Sequence, residues 1–209
     1  MSTTEFPLCL RARASPSWRR ALALLVLLAA LPAGAQPQLS EREVEAAYLV
    51  NFLRFTQWPA RSFASPQAPF VVTVVGSAQV ASTVRAVAAA AGAIDGHPIE
   101  VRSLVPPPGR PLDLAADPEA EQAVRTSHLV FFHGSAGSVP ERELARLSAV
   151  PVLTVSDIGG FTHSGGMLEL SNEANHIVFE ANPAAIRDAG LLLSAKVLKL
   201  ARSTAGMPP

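Results

Sequence analysis

The sequence predicts an α/β fold: a compact sandwich with a mainly parallel sheet, helices on both faces and an antiparallel C-terminal hairpin. Three observations carry that expectation. Short β-branched or aromatic runs such as "FVVTVV" and "HLVFF" alternate along the chain with segments of helical periodicity, the pattern of a sheet covered by its crossover helices. The runs are nearly continuous in apolar residues, as strands buried on both faces must be. Near the end, "GMLEL" and "NHIVFE" lie too close in sequence for a crossover, so they pair as a hairpin.

Each element has a local reason. Ser40 and Glu43 have capping-box spacing, and Val44, Ala47, Tyr48, Asn51, Phe52 and Phe55 then recur at helical intervals, which predicts a helix over 41–56, closed by Pro59. "PFVVTVVG" reads as a strand and turn, and "SAQVASTVRAVAAAAG" as a helix ending at Gly92. "HPIEVRSL" is the second strand, and the prolines from Val105 to Pro118 mark a surface excursion before a short helix over 118–126. "HLVFFHGS" and "PVLTVSD" are further strands, separated by a helix with Pro140 near its first turn. Asn182 as N-cap and Pro183 at the first helical position open one long terminal helix, with Ile186, Ala189, Leu193, Val197 and Leu200 on one stripe.

The chain has 209 residues, 49% hydrophobic, and a formal net charge of zero, which suits one globular domain and offers no electrostatic footprint for nucleic acid or anionic lipid. Its start reads as a cleavable leader. Arg11, Arg13, Arg19 and Arg20 precede an apolar run from Ala21 to Leu31, and Ala33 and Ala35 supply a small-residue cleavage site. The run rises only about 17 Å as a helix, too short for a hydrocarbon core of about 30 Å. The expectation is therefore a signal peptide over 1–35, a single domain over 36–209, and a product in the periplasm. Cleavage would leave 174 residues with a net charge of about −3 and remove Cys9, the only cysteine, so neither disulfide nor thiolate chemistry would remain.

The stretch "VLTVSDIGGFTHSGGMLEL" invites a catalytic reading, because Ser156, Asp157 and His163 fall within eight residues among four glycines. The setting argues otherwise. A nucleophile elbow places G-x-S-x-G between a strand and a helix, and neither feature is present. A phosphate cradle lacks its lysine and precedes a strand instead of a helix. His97, His128, His133, His163 and His176 are scattered without metal-ligand spacing, so each reads as an ordinary loop or surface histidine, and neither a metal nor a cofactor is expected. The remaining reading is a shaped loop at the carboxyl edge of the sheet: Asp157 starts the turn, Gly159, Gly160, Gly165 and Gly166 allow positive φ, and Phe161 staples the loop to the core. Such an edge also binds ligands in open α/β folds, which leaves Phe161 and Met167 as recognition contacts or core. Asn51, on the apolar stripe of the first helix, either ties that helix to a neighbouring backbone or contacts a ligand.

In this order, "EAAYLVNFLRFTQWP", "FVVTVVG", "GHPIEVR", "SHLVFF", "VLTVSDIGGFTHSGGMLEL" and "IRDAGLLLSAKVLKLAR" resemble the YfiR family of periplasmic proteins over nearly the whole mature chain. Matching positions are Tyr48, Asn51, Phe55, Trp58 and Pro59; Ser156, Asp157, Gly160, Phe161, Gly165, Gly166 and Met167; and Gly190, Leu191, Ser194, Lys196 and Leu198. The resemblance implies a regulator and not an enzyme. Family members repress a membrane-anchored diguanylate cyclase, YfiN, are sequestered by an outer-membrane lipoprotein, YfiB, and form homodimers. Other receptors, such as sensor histidine kinases, fit the same implication. Where the family uses disulfides, this chain has no cysteine after cleavage. The candidate partner- or ligand-binding residues are Asn51, Trp58, Asp157, Phe161, His163 and Met167, with Trp58 either an interface anchor or buried beneath the first helix. Two other classes stay open from the residues: a periplasmic small-molecule binding protein, and a serine hydrolase acting through Ser156.

Overall fold

A computed structural model of the chain describes residues 39–107 and 112–204. The expected leader and its cleavage point lie outside them. Strands β2 (Phe70–Val75), β3 (Ile99–Leu104), β4 (Leu129–Phe132), β5 (Leu153–Ser156), β6 (Leu168–Glu173), β7 (His176–Ala181) and β9 (Ser203–Thr204) form one sheet in the order β3-β2-β4-β5-β6-β7-β9. Neighbours are parallel except β6 and β7, which make the expected antiparallel hairpin. Every residue of β2, β4 and β5 is buried. Edge strand β3 carries instead an exposed Glu100–Arg102 pair at 2.8 Å, charge that discourages another strand from pairing there.

Alternation along the central strands sends side chains into two cores. Val72, Val74, Leu129, Phe131, Leu153 and Val155 pack on one face with α1 (Glu41–Phe55) and α2 (Ala78–Ala91). On the other, Val75, Val130 and Phe132 meet α3 (Pro118–Arg125) and α4 (Glu141–Leu147). Helices therefore cover both faces. Leu112 and Leu114 join the second core, so the proline-rich excursion returns inward at its end; the carboxylate of Glu143 in α4, itself buried, accepts the Leu114 amide at 3.1 Å.

The N-terminus of α1 is built as its sequence dictates. Ser40 Oγ accepts the Glu43 amide, and Glu43 Oε2 accepts the Ser40 amide at 2.7 Å. The helix stops at Phe55, before Pro59, because Thr56–Gln57 (β1) turns to pair antiparallel with Leu192–Leu193 (β8).

The terminal segment differs from the single helix expected. Pro183–Asp188 (α5) ends in a Schellman cap, in which Gly190, at φ +74°, donates to Arg187 O and Leu191 donates to Ile186 O at 3.0 Å. Leu191 is buried as that motif requires, β8 follows, and α6 (Ala195–Leu198) is a single turn. Leu200 is 75% exposed and not part of an apolar stripe. Among the described residues no helix is long and apolar enough to cross a membrane.

Candidate functional site

β4 and β5 run parallel with Phe132 opposite Ser156, so the residues that leave the two strands, His133 and Asp157, emerge side by side at the carboxyl edge. His133 Nδ1 lies 2.5 Å from Asp157 Oδ2, and Asp157 Oδ1 accepts the Gly134 amide at 2.7 Å. The carboxylate thus joins the two strand ends. Glu45 of α1 is half-buried. Burial pushes its carboxyl up to about 7, and the negative charges of Asp157 and Glu41 add to that effect against His133 and Arg42. The hydrogen bond to Asp157 raises the His133 pKa; burial opposes it, and the charges of Asp157 and Glu45 add to the rise.

Beyond Asp157 the chain reaches β6 with no helix between. It can do so because β5 and β6 overlap only through Val155 opposite Leu168 and Ser156 opposite Glu169, so the loop need not return along a full strand. Glu169 holds that loop from inside. Its carboxylate, nearly sealed from solvent, accepts Gly160 N at 3.1 Å, Thr162 N at 3.2 Å and the Thr162 hydroxyl at 3.4 Å. Gly160 and Gly165 take positive φ as expected, whereas Gly159 and Gly166 do not. Gly166 is required for space: a Cβ there would sit 2.2 Å from the Phe161 ring.

The six candidate residues separate by exposure. Phe161 and Met167 are core, the first in the α3/α4 layer and the second in the α1/α2 layer. Trp58 is half-buried against Phe70 and His128, with its Nε1 enclosed and unpartnered among the described residues. Asp157 is the strand-end clasp, and its partner is His133, not His163. His163 and Asn51 face solvent. Asn51 therefore makes no tie to a neighbouring backbone, because α1 rotates it off the buried face.

Ser156 is fully buried and donates to Phe132 O at 2.7 Å while accepting the Ile158 amide at 3.0 Å, which leaves it no geometry for attack on a substrate. Among the described residues no cluster of His, Asp and Glu has the arrangement of a metal site. Sequence reasoning missed Glu45, His133 and Glu169. For His133 a signal existed: parallel neighbouring strands place the residue after each strand beside its counterpart. His128 also departs from the surface role expected of it, being only 4% exposed.

A family model described as YfiR/HmsC-like matches residues 42–202. The chain belongs to the YfiR/HmsC-like family. No curated protein matches it. Among solved structures it is similar to a conserved domain protein from Vibrio cholerae O1 biovar El Tor strain N16961, with a TM-score of 0.56 and 14% identity. That match covers 80% of this chain and 61% of the other, a likeness of fold alone.

Proposed function

We propose that the protein is a periplasmic regulator that binds the periplasmic domain of a membrane-anchored sensor, with a diguanylate cyclase as the sensor and repression as the outcome. Family membership across nearly all described residues is the observation that carries this reading. The enclosed Ser156 hydroxyl weighs against hydrolysis, so the work falls to the molecular surface. Repression by binding needs differential affinity for the inactive receptor: converting a receptor that is 99% active to 99% inactive takes about a 10⁴-fold preference.

Asn51 and His163 are the candidate contacts whose side chains are available to a partner. On the same helix as Asn51 and one turn on, Phe55 is 41% exposed, and Leu192 of the adjoining β8 is 62% exposed. Cross-linking in intact cell envelopes should recover a membrane sensor, and co-expression with a cyclase should lower cyclic di-GMP. Recovery of a histidine kinase would change the receptor class and keep the mode of action. Recovery of no membrane sensor would overturn the proposal. The same reading includes a homodimer, which light scattering measures, and sequestration by an outer-membrane lipoprotein of the YfiB type.

A further inference from the structure

We infer that the amino edge of the sheet holds an internal water molecule, bound by Trp58, Ser62 and His128, which bolts the segment leaving α1 to the start of β4. Such a site is independent of receptor binding and belongs to the isolated chain. Its basis is where the unpaired polar atoms fall. Among the described residues, four enclosed side-chain atoms have no hydrogen-bond partner: Thr56 Oγ1, Trp58 Nε1, Ser62 Oγ and His128 Nε2. Three belong to the stretch from Thr56 to Ser62, and the other to the histidine on which that stretch packs. Elsewhere the interior is satisfied. The hydroxyls of Thr73 and Ser127 pair at 2.7 Å, Thr154 Oγ1 accepts the Met167 amide at 3.2 Å, and Glu143, Ser156 and Glu169 have the partners described above. Enclosed polar groups are costly to leave unpaired, so their concentration in one place marks a site that a further group completes.

Ring geometry brings the site together. Trp58 and His128 meet edge to face with centroids 6.0 Å apart, and both pack on Phe70, at 5.3 and 5.1 Å. Phe63 contacts the rings of His97 and His128 at 4.4 and 4.6 Å. Ser62 ends the short 3₁₀ turn Ala60–Ser62 directly before Phe63, and its backbone is close enough to act on the His128 imidazole. Val71 anchors His128 twice, its carbonyl accepting the His128 amide at 2.8 Å and its amide donating to His128 Nδ1 at 3.0 Å.

The chemistry of these atoms selects the occupant. Because Nδ1 accepts from Val71, the proton of the neutral His128 ring sits on Nε2, which donates. Trp58 Nε1 also only donates, whereas the Ser62 hydroxyl both donates and accepts. A hydrocarbon would leave both N–H groups unpaired, and a cation would face two donors. An anion would find no counter-charge on Trp58, Ser62, Phe63, Phe70 or neutral His128. The rings already stand at contact distance, which rules against an organic ligand. Water fits all of these demands: its oxygen accepts from both nitrogens and one of its protons goes to Ser62 Oγ, about three hydrogen bonds, as is usual for a buried water. The stretch it fastens includes β1, so the water also steadies the pairing of β1 with β8.

The test uses the chain without its leader, in which Trp58 is the one tryptophan and its indole proton is unambiguous. Magnetisation transfer from water in NMR should give cross-peaks at both the Trp58 Nε1 and the His128 Nε2 protons, with the sign of a long-lived contact. A crystal structure should show an oxygen within about 3.2 Å of both nitrogens and of Ser62 Oγ. Trp58→Phe, which keeps an aromatic ring and removes the N–H, should speed solvent exchange of the His128 Nε2 proton about tenfold, because the water loses a partner. Cross-peaks at neither nitrogen or at only one overturn the bridge, as does density that seats Nε2 directly on the Ser62 carbonyl, or an unchanged His128 exchange rate in the variant. Should the variant fail to fold, the wild-type cross-peaks decide alone.

Discussion

His128 and His133 bracket the same four-residue strand, β4, yet the two ends of that strand impose opposite chemistry on the same side chain. At the amino end, His128 lies among Trp58, Phe63 and Phe70 with ring centroids 4.6 to 6.0 Å away. Its Nδ1 accepts the Val71 amide at 3.0 Å, which fixes the neutral tautomer with a proton on Nε2. Burial pulls its pKa down to about 4, the nearby Ser62 backbone opposes this, and the charge of His97 adds slightly to the fall. No acceptor among the described residues meets Nε2 at hydrogen-bonding geometry. At the carboxyl end, Asp157 reverses the sign for His133. Burial alone does not decide a histidine; the available counter-charge does.

Crowding the carboxyl edge should give the largest effect. Gly166→Ala drives a methyl into the ring of the buried Phe161, and a loss of about 3 kcal/mol or failure to fold is expected in urea titrations. At the amino edge, lowering the pH is the comparable insult. Because His128 has its pKa lowered on folding, its stabilising share is complete above about 6.5 and drains away as pH falls toward 4, a loss of about 3 kcal/mol. His128→Asn, which keeps an acceptor for Val71, should flatten that acid limb in denaturation curves measured from pH 7 to 4.

A smaller effect tests the loop from within. Glu169→Ala leaves the amides of Gly160 and Thr162 without their acceptor, and about 2 kcal/mol should be lost, with faster amide exchange confined to residues 158–167. The smallest belongs to the clasp. Asp157→Asn preserves shape and removes the charge, so about 1 kcal/mol is expected near pH 6, fading as pH rises through the His133 midpoint, since a neutral imidazole has no ion pair to lose. If the variant instead cost the same at pH 6 and pH 9, the contrast between the two histidines would be geometric and not electrostatic.

Strands β2 to β5, α1 with its capping box, α2, α3 and the β6–β7 hairpin were legible because local chemistry and tertiary demand agree there. The C-terminus was not, because Ile186, Ala189, Leu193, Val197 and Leu200 imitate a helical stripe and outweighed Gly190, whose φ of +74° is the true stop. Asn51 misled for a related reason: spacing places it near the apolar stripe, but the buried arc of α1 runs through Ala46, Leu49, Val50, Phe52 and Leu53 and stops short of it. The loop was legible as a shaped turn, and Phe161 as its staple. Its inner brace was not, because a carboxylate inside an apolar strand looks like a surface residue until the backbone amides it serves are in place. Glu45 gave no signal of its own, since the charges of His133 and Asp157 that act on it lie at the ends of distant strands.

The shallow overlap of β5 and β6 has a mechanical consequence. Two residue pairs join the parallel half of the sheet to the hairpin half, whereas β2 and β3 share six. Tension applied to the hairpin therefore concentrates on a short zipper tooth reinforced by one buried carboxylate, and the polypeptide tears there before its wider seams give way.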